Sequence, residues 1–254
     1  MSLEISFIQY FTTHQNIYCP KQPLRYVFLD ESPQKPDMGR SSLHYMLCVE
    51  LRILPLGDSI TMGYKSSDGN GYREDLEKRL IHNSVDFIGT QHSGDMKDNA
   101  HEGHSGALID AIADHARDIL PKRPNVVLLM AGSNDCNRRK DVDHMPDRLG
   151  DLIDEITDAC PDAAVIVAQL TPIENDESEA AVKKLNSAIP GLVSDRAKKG
   201  KKVLTVNMSA TVTTNDLKDG LHPNDHGYNL MSEVWLEGIQ SASDKGWIKK
   251  PVEV

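Results

Sequence analysis

The sequence contains little cysteine, with four in 254 residues: Cys19, Cys48, Cys136 and Cys160. Four cysteines do not make a disulfide-rich framework, and their spacings match no metal-ligand pattern. Cys136 and Cys160 flank one predicted helix, so they either form a bridge in a secreted protein or remain two partly buried free thiols. Cysteine content therefore leaves the cellular compartment open.

Long apolar runs and clusters of positive charge are also scarce. No run approaches the length of a membrane span, and we find no charged-then-apolar leader segment at the start of the chain. The formal net charge is −10, and the densest basic stretch, at 198–202, is typical of a solvated helix end followed by a turn. We therefore expect neither a nucleic acid nor a membrane as a partner.

Residues 1–48 differ in composition from the rest of the chain. They hold seven of the eleven Phe and Tyr residues and four of the thirteen prolines, without a sustained helical or alternating period. We interpret 1–48 as an irregular N-terminal extension without an assigned role, and 49–254 as one folded domain.

From Leu51 onward, short apolar runs alternate with helical periods. The runs predict five strands, at 51–56, 85–88, 126–131, 163–170 and 203–207. Apolar spacing predicts helices over 107–120 and 225–239, and two more around 149–156 and 182–192. Strands that are apolar throughout and followed by helices are typical of a parallel sheet covered on both faces. The predicted fold is therefore α/β, a three-layer α/β/α domain around a central parallel five-stranded sheet.

Four polar blocks lie where predicted strands end or predicted helices begin. The first puts Ser59 at the end of the first strand, where open parallel sheets bind ligands, and Gly57 would let the chain turn there. The other three blocks occupy 99–106, 132–135 and 219–224. Each block alone is explained as well by turn and cap chemistry, but together they favour a functional site.

The residue types in these blocks suit hydrolysis by a serine nucleophile. Ser59 needs a base to become a nucleophile, and His222 is the candidate. Asp219 lies three residues upstream and can accept a hydrogen bond from the other ring nitrogen. The backbone N–H of Ser59, the backbone N–H of Gly106 and the side-chain amide of Asn134 are candidate donors to an oxyanion.

These blocks, in this order, resemble the SGNH (GDSL-like) hydrolase superfamily. Ser59 matches the nucleophile position, Gly106 and Asn134 match the oxyanion positions, and Asp219 with His222 matches the D-x-x-H pair. Three stretches are similar to carbohydrate esterase family 3, a branch known for acetylxylan esterases: 54–61, 68–73 and 101–106.

The resemblance leaves the oxyanion glycine open between two positions. Gly103 and Gly106 lie in the same predicted turn, and Gly106 is favoured because it aligns with the family glycine directly before a helix. His104, in the same block, either lines the acyl pocket or is a solvent-exposed loop residue.

The resemblance implies a serine esterase that removes acetyl or other short acyl groups from carbohydrate such as xylan, through an acyl-enzyme intermediate. Its expected partner is an acetylated carbohydrate or small ester, and it implies no metal and no organic cofactor. A lysophospholipase-like lipid esterase and a noncatalytic carbohydrate-binding protein on the same fold are the alternatives. The family suggests an extracellular protein, but without a recognisable leader segment the localisation stays unassigned.

Overall fold

The computed structural model describes residues 49–254, so the predicted N-terminal extension at 1–48 lies outside the described residues. The strands of the described part are β1 (Glu50–Gly57), β2 (Ser84–Phe87), β3 (Gln91–His92), β4 (Ala100–Gly103), β5 (Val126–Met130), β6 (Ala164–Gln169) and β7 (Val203–Asn207). Its α-helices are α1 (Ser59–Met62), α2 (Arg73–Arg79), α3 (Ile109–Ile119), α4 (Ser133–Arg138), α5 (Met145–Ala159), α6 (Asp176–Lys198) and α7 (Asp225–Asp244).

A parallel sheet forms the centre of the domain. Strand β1 pairs with β5 along one edge, and β6 and β7 follow in parallel register. Along its other edge, β1 pairs with β2 at its start and with β4 at its end. The sheet therefore has five parallel positions, one of them shared by β2 and β4, and the predicted α/β architecture is confirmed.

Part of the second polar block, at 99–106, forms a strand where a turn was predicted. Residues Ala100–Gly103 form β4, which pairs with β1 through Leu56↔Glu102 and Gly57↔Gly103, while the two-residue β3 pairs antiparallel to β4. Helix α3 begins at Ile109, two residues after the predicted start. Strand β4 is short and contains no large apolar residue, and its partner β1 comes from a distant part of the chain, so apolar periodicity does not detect it.

Helices cover the sheet in two layers. Helices α3, α5 and α6 pack side by side, and α2 packs against α7. All five residues of β5 are buried, and Trp235 and Tyr228 of α7 are among the largest fully buried side chains. Within the described residues, no helix is long and apolar enough to cross a membrane.

Cys136 and Cys160 are both free thiols in this fold, and both are buried. The Cys136 Sγ lies 3.8 Å from the Met145 sulfur, and the Cys160 Sγ donates to the Leu120 carbonyl at 3.4 Å. Burial raises the pKa of the Cys136 thiol to about 12. Of the two states left open by the sequence, the structure has the free thiols, and Cys136 is a protonated core residue at neutral pH.

Candidate active site

Ser59 is the first residue of α1, directly after β1, and only 5% of it is exposed. Asp58 precedes it as the N-cap, and its Oδ1 accepts a hydrogen bond from the Ile60 N–H at 2.9 Å. This bond satisfies one of the free N–H groups at the helix start and fixes the turn that carries the serine.

The structure leaves no room for a side chain at Gly57. A Cβ atom at this position would lie 2.4 Å from the Met130 carbonyl oxygen of the neighbouring strand and 2.4 Å from the Thr61 Oγ1. A sharp turn is predicted at this glycine from the sequence, but Gly57 is the last residue of β1. The close approach of β5 and α1 is what excludes any larger residue.

The structure brings Ser59, His222 and Asp219 into one hydrogen-bonded chain. The Ser59 Oγ lies 3.0 Å from His222 Nε2, and His222 Nδ1 lies 3.0 Å from Asp219 Oδ2. An ionised carboxylate can only accept hydrogen bonds, so when the His222 ring is neutral its proton sits on Nδ1. The Nε2 lone pair then faces the serine hydroxyl, which is the orientation a general base needs.

The Asp219 carboxylate is held by its own loop. Its Oδ1 accepts hydrogen bonds from the backbone N–H groups of His222, at 2.9 Å, and Leu221, at 3.3 Å. Partial burial alone would raise the pKa of Asp219, but these bonds and the His222 ring outweigh it, and the pKa lies below its ordinary value. The carboxylate is therefore ionised at neutral pH and can stabilise an imidazolium.

Asn134 lies in the first turn of α4 and is 6% exposed. Its Nδ2 donates to the Ala107 carbonyl at 3.1 Å and lies 3.4 Å from Asp58 Oδ2. These contacts join α4 to the loop after β4 and to the turn that carries the serine. The three segments that hold Ser59, Gly106 and Asn134 thus converge.

The two candidate glycines occupy different environments. Gly103 ends β4, and its N–H donates to His101 Nδ1 at 3.0 Å. Gly106 lies in the following loop at φ +80°, and no described residue accepts a hydrogen bond from its N–H. It lines a cavity of ≈ 440 Å³. Of these two described glycines, Gly106 is therefore the one whose backbone N–H is free to donate to a ligand.

Two buried acidic residues beside the site were not assigned functional roles from the sequence. Asp58 is fully buried, and desolvation raises its pKa to about 6. Asp135 accepts from Arg148 Nη1 at 2.8 Å and from the Ile109 N–H, at the start of α3, at 3.1 Å. Asp135 lies in the first turn of α4, but its carboxylate caps a different helix, α3.

His222 borders a second recess in the surface. The Tyr64 ring packs edge-on against its ring, with centroids 4.8 Å apart, and 42% of the tyrosine is exposed. A cavity of ≈ 420 Å³ adjoins the histidine, and its polar lining residues are Asn137, Glu174, Asn175 and Asp219. The surface beside His222 therefore combines an exposed aromatic ring with several hydrogen-bonding side chains.

Comparison with known proteins identifies the family. The model of the GDSL-like lipase/acylhydrolase family matches residues 56–230. The chain belongs to this family. Its membership confirms the resemblance inferred from the sequence and makes the described domain a carboxylic ester hydrolase.

Similar proteins include esterases of carbohydrate esterase family 3. A family 3 carbohydrate esterase from Clostridium thermocellum is 33% identical with a TM-score of 0.69, covering 77% of this chain and 98% of its own. A family 3 carbohydrate esterase from Talaromyces cellulolyticus is 26% identical with a TM-score of 0.65. This match covers 76% of the present chain and 99% of the Talaromyces chain.

A multidomain esterase from Ruminococcus flavefaciens is 27% identical over an alignment of 223 positions, and the alignment covers 75% of this chain. The chain spans 28% and 49% of the lengths of the two curated relatives it matches.

Proposed function

We propose that the domain removes acetyl and other short acyl groups from carbohydrate esters such as acetylated xylan. Ser59 is the nucleophile, His222 the general base and Asp219 the residue that orients the imidazole. The backbone N–H groups of Ser59 and Gly106 and the Asn134 amide receive the oxyanion. The observation that carries this proposal is the chain of 3.0 Å contacts from Ser59 through His222 to Asp219.

The reaction proceeds in two half-reactions on the same residues. The Ser59 oxygen attacks the ester carbonyl carbon while His222 Nε2 takes the hydroxyl proton. When the tetrahedral intermediate collapses, the bond to the alcohol oxygen breaks and His222 returns the proton to that oxygen. Water then attacks the acyl-serine with His222 again as base, and the acid is released with Ser59 restored.

Asn134 supports the oxyanion role through its geometry. One Nδ2 hydrogen is held by the Ala107 carbonyl at 3.1 Å, and the other has only the 3.4 Å contact to Asp58. That weakly bonded hydrogen is available to a developing oxyanion. Because the Ala107 bond also fixes the residue next to Gly106, the two proposed donors are positioned together.

Support for a carbohydrate substrate comes from the surface beside His222, where the leaving alcohol would lie. His222 protonates the departing alcohol, so that alcohol lies beside His222 at the moment of release. The neighbouring cavity and the exposed Tyr64 ring offer the hydrogen-bonding groups and the aromatic surface that suit a sugar. The family 3 carbohydrate esterases named above are consistent with such a substrate.

The mechanism is tested by the Ser59→Ala variant on p-nitrophenyl acetate. We expect turnover to fall to the background of the uncatalysed reaction, because among the described residues only the Ser59 hydroxyl hydrogen-bonds with His222 Nε2. Ser241→Ala, at an exposed position in α7, is the matched control and should keep full activity. Substantial activity of Ser59→Ala would contradict the nucleophile assignment.

The substrate class is tested separately on the wild-type chain. We expect higher kcat/KM on acetyl than on octanoyl p-nitrophenyl esters, and release of acetate from acetylated xylan and xylo-oligosaccharides. A preference for the octanoyl ester would favour a lipid esterase. Absence of turnover on every ester would favour a noncatalytic carbohydrate-binding protein.

A further inference from the structure

A second group of histidine and carboxylate side chains lies outside the proposed triad. Glu102 belongs to β4, His104 follows that strand, and His115 lies in α3. One ligand atom from each of the three lies within 4.8 Å of the other two. The ester mechanism proposed above uses none of these side chains.

The Glu102 carboxylate is buried and pairs with an imidazole, not with a lysine or an arginine of the described residues. It is 1% exposed, and it accepts hydrogen bonds from the Thr90 N–H at 2.7 Å and the Thr90 hydroxyl at 2.8 Å. Its remaining partner is His104 Nε2 at 2.6 Å, and no lysine or arginine of the described residues forms an ion pair with it. Buried carboxylates are normally paired with a cation or coordinate a metal.

The two imidazoles are placed face to face. The His104 and His115 rings stack with centroids 3.5 Å apart and planes 7° from parallel. A neutral imidazole offers one ring-nitrogen lone pair, so the two rings together can supply two nitrogen ligands. A metal ion between the ring edges would use both neutral rings and balance the carboxylate charge.

We propose that Glu102, His104 and His115 form a binding site for a divalent transition-metal ion, with Zn²⁺ as the preferred ion. Two imidazole nitrogens and one carboxylate oxygen are a common ligand set for zinc. The Thr90 bonds to Glu102 are the outer contacts that orient such a ligand. Water would complete the coordination.

The site is accessible and needs a small rearrangement. His104 and His115 line the ≈ 440 Å³ cavity that also borders Gly106, which gives a hydrated ion a path to the ligands. Ligands of a tetrahedral zinc lie about 3.4 Å apart at bond lengths of 2.0–2.2 Å. Parallel rings cannot both direct a lone pair at one ion, so one imidazole must tilt out of the stack on binding.

The test is metal binding to the full chain after removal of metals with a chelator. Titration with Zn²⁺ by calorimetry should give one saturable site per chain, with a dissociation constant in the micromolar range or tighter. Co²⁺ should give visible absorption bands of a nitrogen- and oxygen-ligated ion, and excess Zn²⁺ should remove them. Wild-type protein without a saturable site below millimolar Zn²⁺ would overturn the proposal.

Variants separate this site from adventitious binding. His115→Gln and Glu102→Gln should each weaken Zn²⁺ binding by about 100-fold or more, because each removes a ligand. The control is His144→Ala, since His144 also pairs with a carboxylate at 2.6 Å, from Asp141, but on the surface. Unchanged affinity in His115→Gln, or an equal loss in His144→Ala, would contradict the proposal.

A folding control accompanies these measurements. Circular dichroism should show that both ligand variants are folded, and Zn²⁺ should raise the melting temperature of the wild type but not of His115→Gln. If Glu102→Gln fails to fold, the Zn²⁺ affinity of His115→Gln decides whether the proposal stands. His115 is partly exposed in α3, so its substitution should leave the fold intact.

Discussion

The two halves of the proposed active site are built in different ways. Ser59 and Asn134 are 5% and 6% exposed, and their contacts join elements that are distant along the chain. His222 and Asp219 lie on a loop with side-chain exposures of 12% and 36%, and bonds within a few residues hold them together. The nucleophile half is thus part of the domain core, while the base half is a locally organised surface loop.

This difference predicts which substitutions affect stability as well as catalysis. Changes in the buried half should alter both properties, because its polar groups are desolvated and bonded across segments. Changes in the loop half should alter catalysis with little effect on the free energy of unfolding. The following predictions address that comparison.

The largest expected effect is from His222→Ala in the loop half. Without the base, kcat on p-nitrophenyl acetate should fall by about 10⁴-fold or more, while the melting temperature stays near the wild-type value. His226→Ala is the control, since His226 also pairs with an aspartate, Asp216 at 2.8 Å, but its side chain is 70% exposed and, within the described part of the chain, it forms no hydrogen bond with a serine. An equal loss of kcat in the two variants would contradict the assignment of His222 as the general base.

Asn134→Ala tests the oxyanion role within the buried half. Loss of one donor should lower kcat by about 10²–10³-fold with a small change in KM. Asn134→Asp keeps the shape but replaces the donor by an acceptor, so it should lose at least as much. Melting curves should accompany both variants, and an unchanged kcat in either would exclude the amide from the oxyanion site.

A matched pair of aspartate substitutions compares the halves directly. Asp135→Ala removes the buried partner of Arg148 and the cap of α3, so it should lower the free energy of unfolding by about 2 kcal/mol or more. Asp219→Ala should lower kcat by about 10²-fold or more with stability nearly unchanged.

Urea unfolding and kcat, measured on both aspartate variants, check this prediction. A stability loss in Asp219→Ala as large as that in Asp135→Ala would mean that the loop is part of the core.

Asp58, in the buried half, should make the stability of the protein depend on pH. Burial raises its pKa from 3.8 to about 6, so the native state binds the proton more tightly than the unfolded state does. Stability from this residue is therefore fully present below pH 3.8 and is lost as the pH rises to about 6, by roughly 3 kcal/mol in total.

Asp58→Asn keeps an oxygen acceptor for the Ile60 N–H but does not titrate. Its stability relative to the wild type should therefore rise between pH 4 and pH 6, as measured by urea unfolding at several pH values. A difference between the two proteins that stays constant across this range would show that Asp58 does not titrate there.

The same contrast explains how much of the site could be predicted from the sequence. The Asp219–His222 pair is three residues apart, so its geometry is local and visible as a motif. The parallel sheet was also predictable, because its long apolar strands carry the signal in their own residues. Strand β4 was not, because residues 100–103 carry no apolar pattern and gain their backbone partners from β1.

Contacts between residues that are far apart in the sequence could not be predicted, and the reason is physical. Asn134 to Ala107 and Asp135 to Ile109 join residues that only the folded sheet brings together. The stacking of His104 on His115 is of the same kind. Apolar periodicity reports which face of an element is buried, and it contains no information on which polar groups then meet.

The central claim is that Ser59 is the nucleophile activated by His222. Its most direct test is covalent labelling with a fluorophosphonate, followed by intact mass spectrometry and peptide mapping. The account predicts one adduct per chain, located on Ser59, with none in Ser59→Ala and much slower labelling in His222→Ala. An adduct on another residue, or labelling of Ser59→Ala at the wild-type rate, would contradict it.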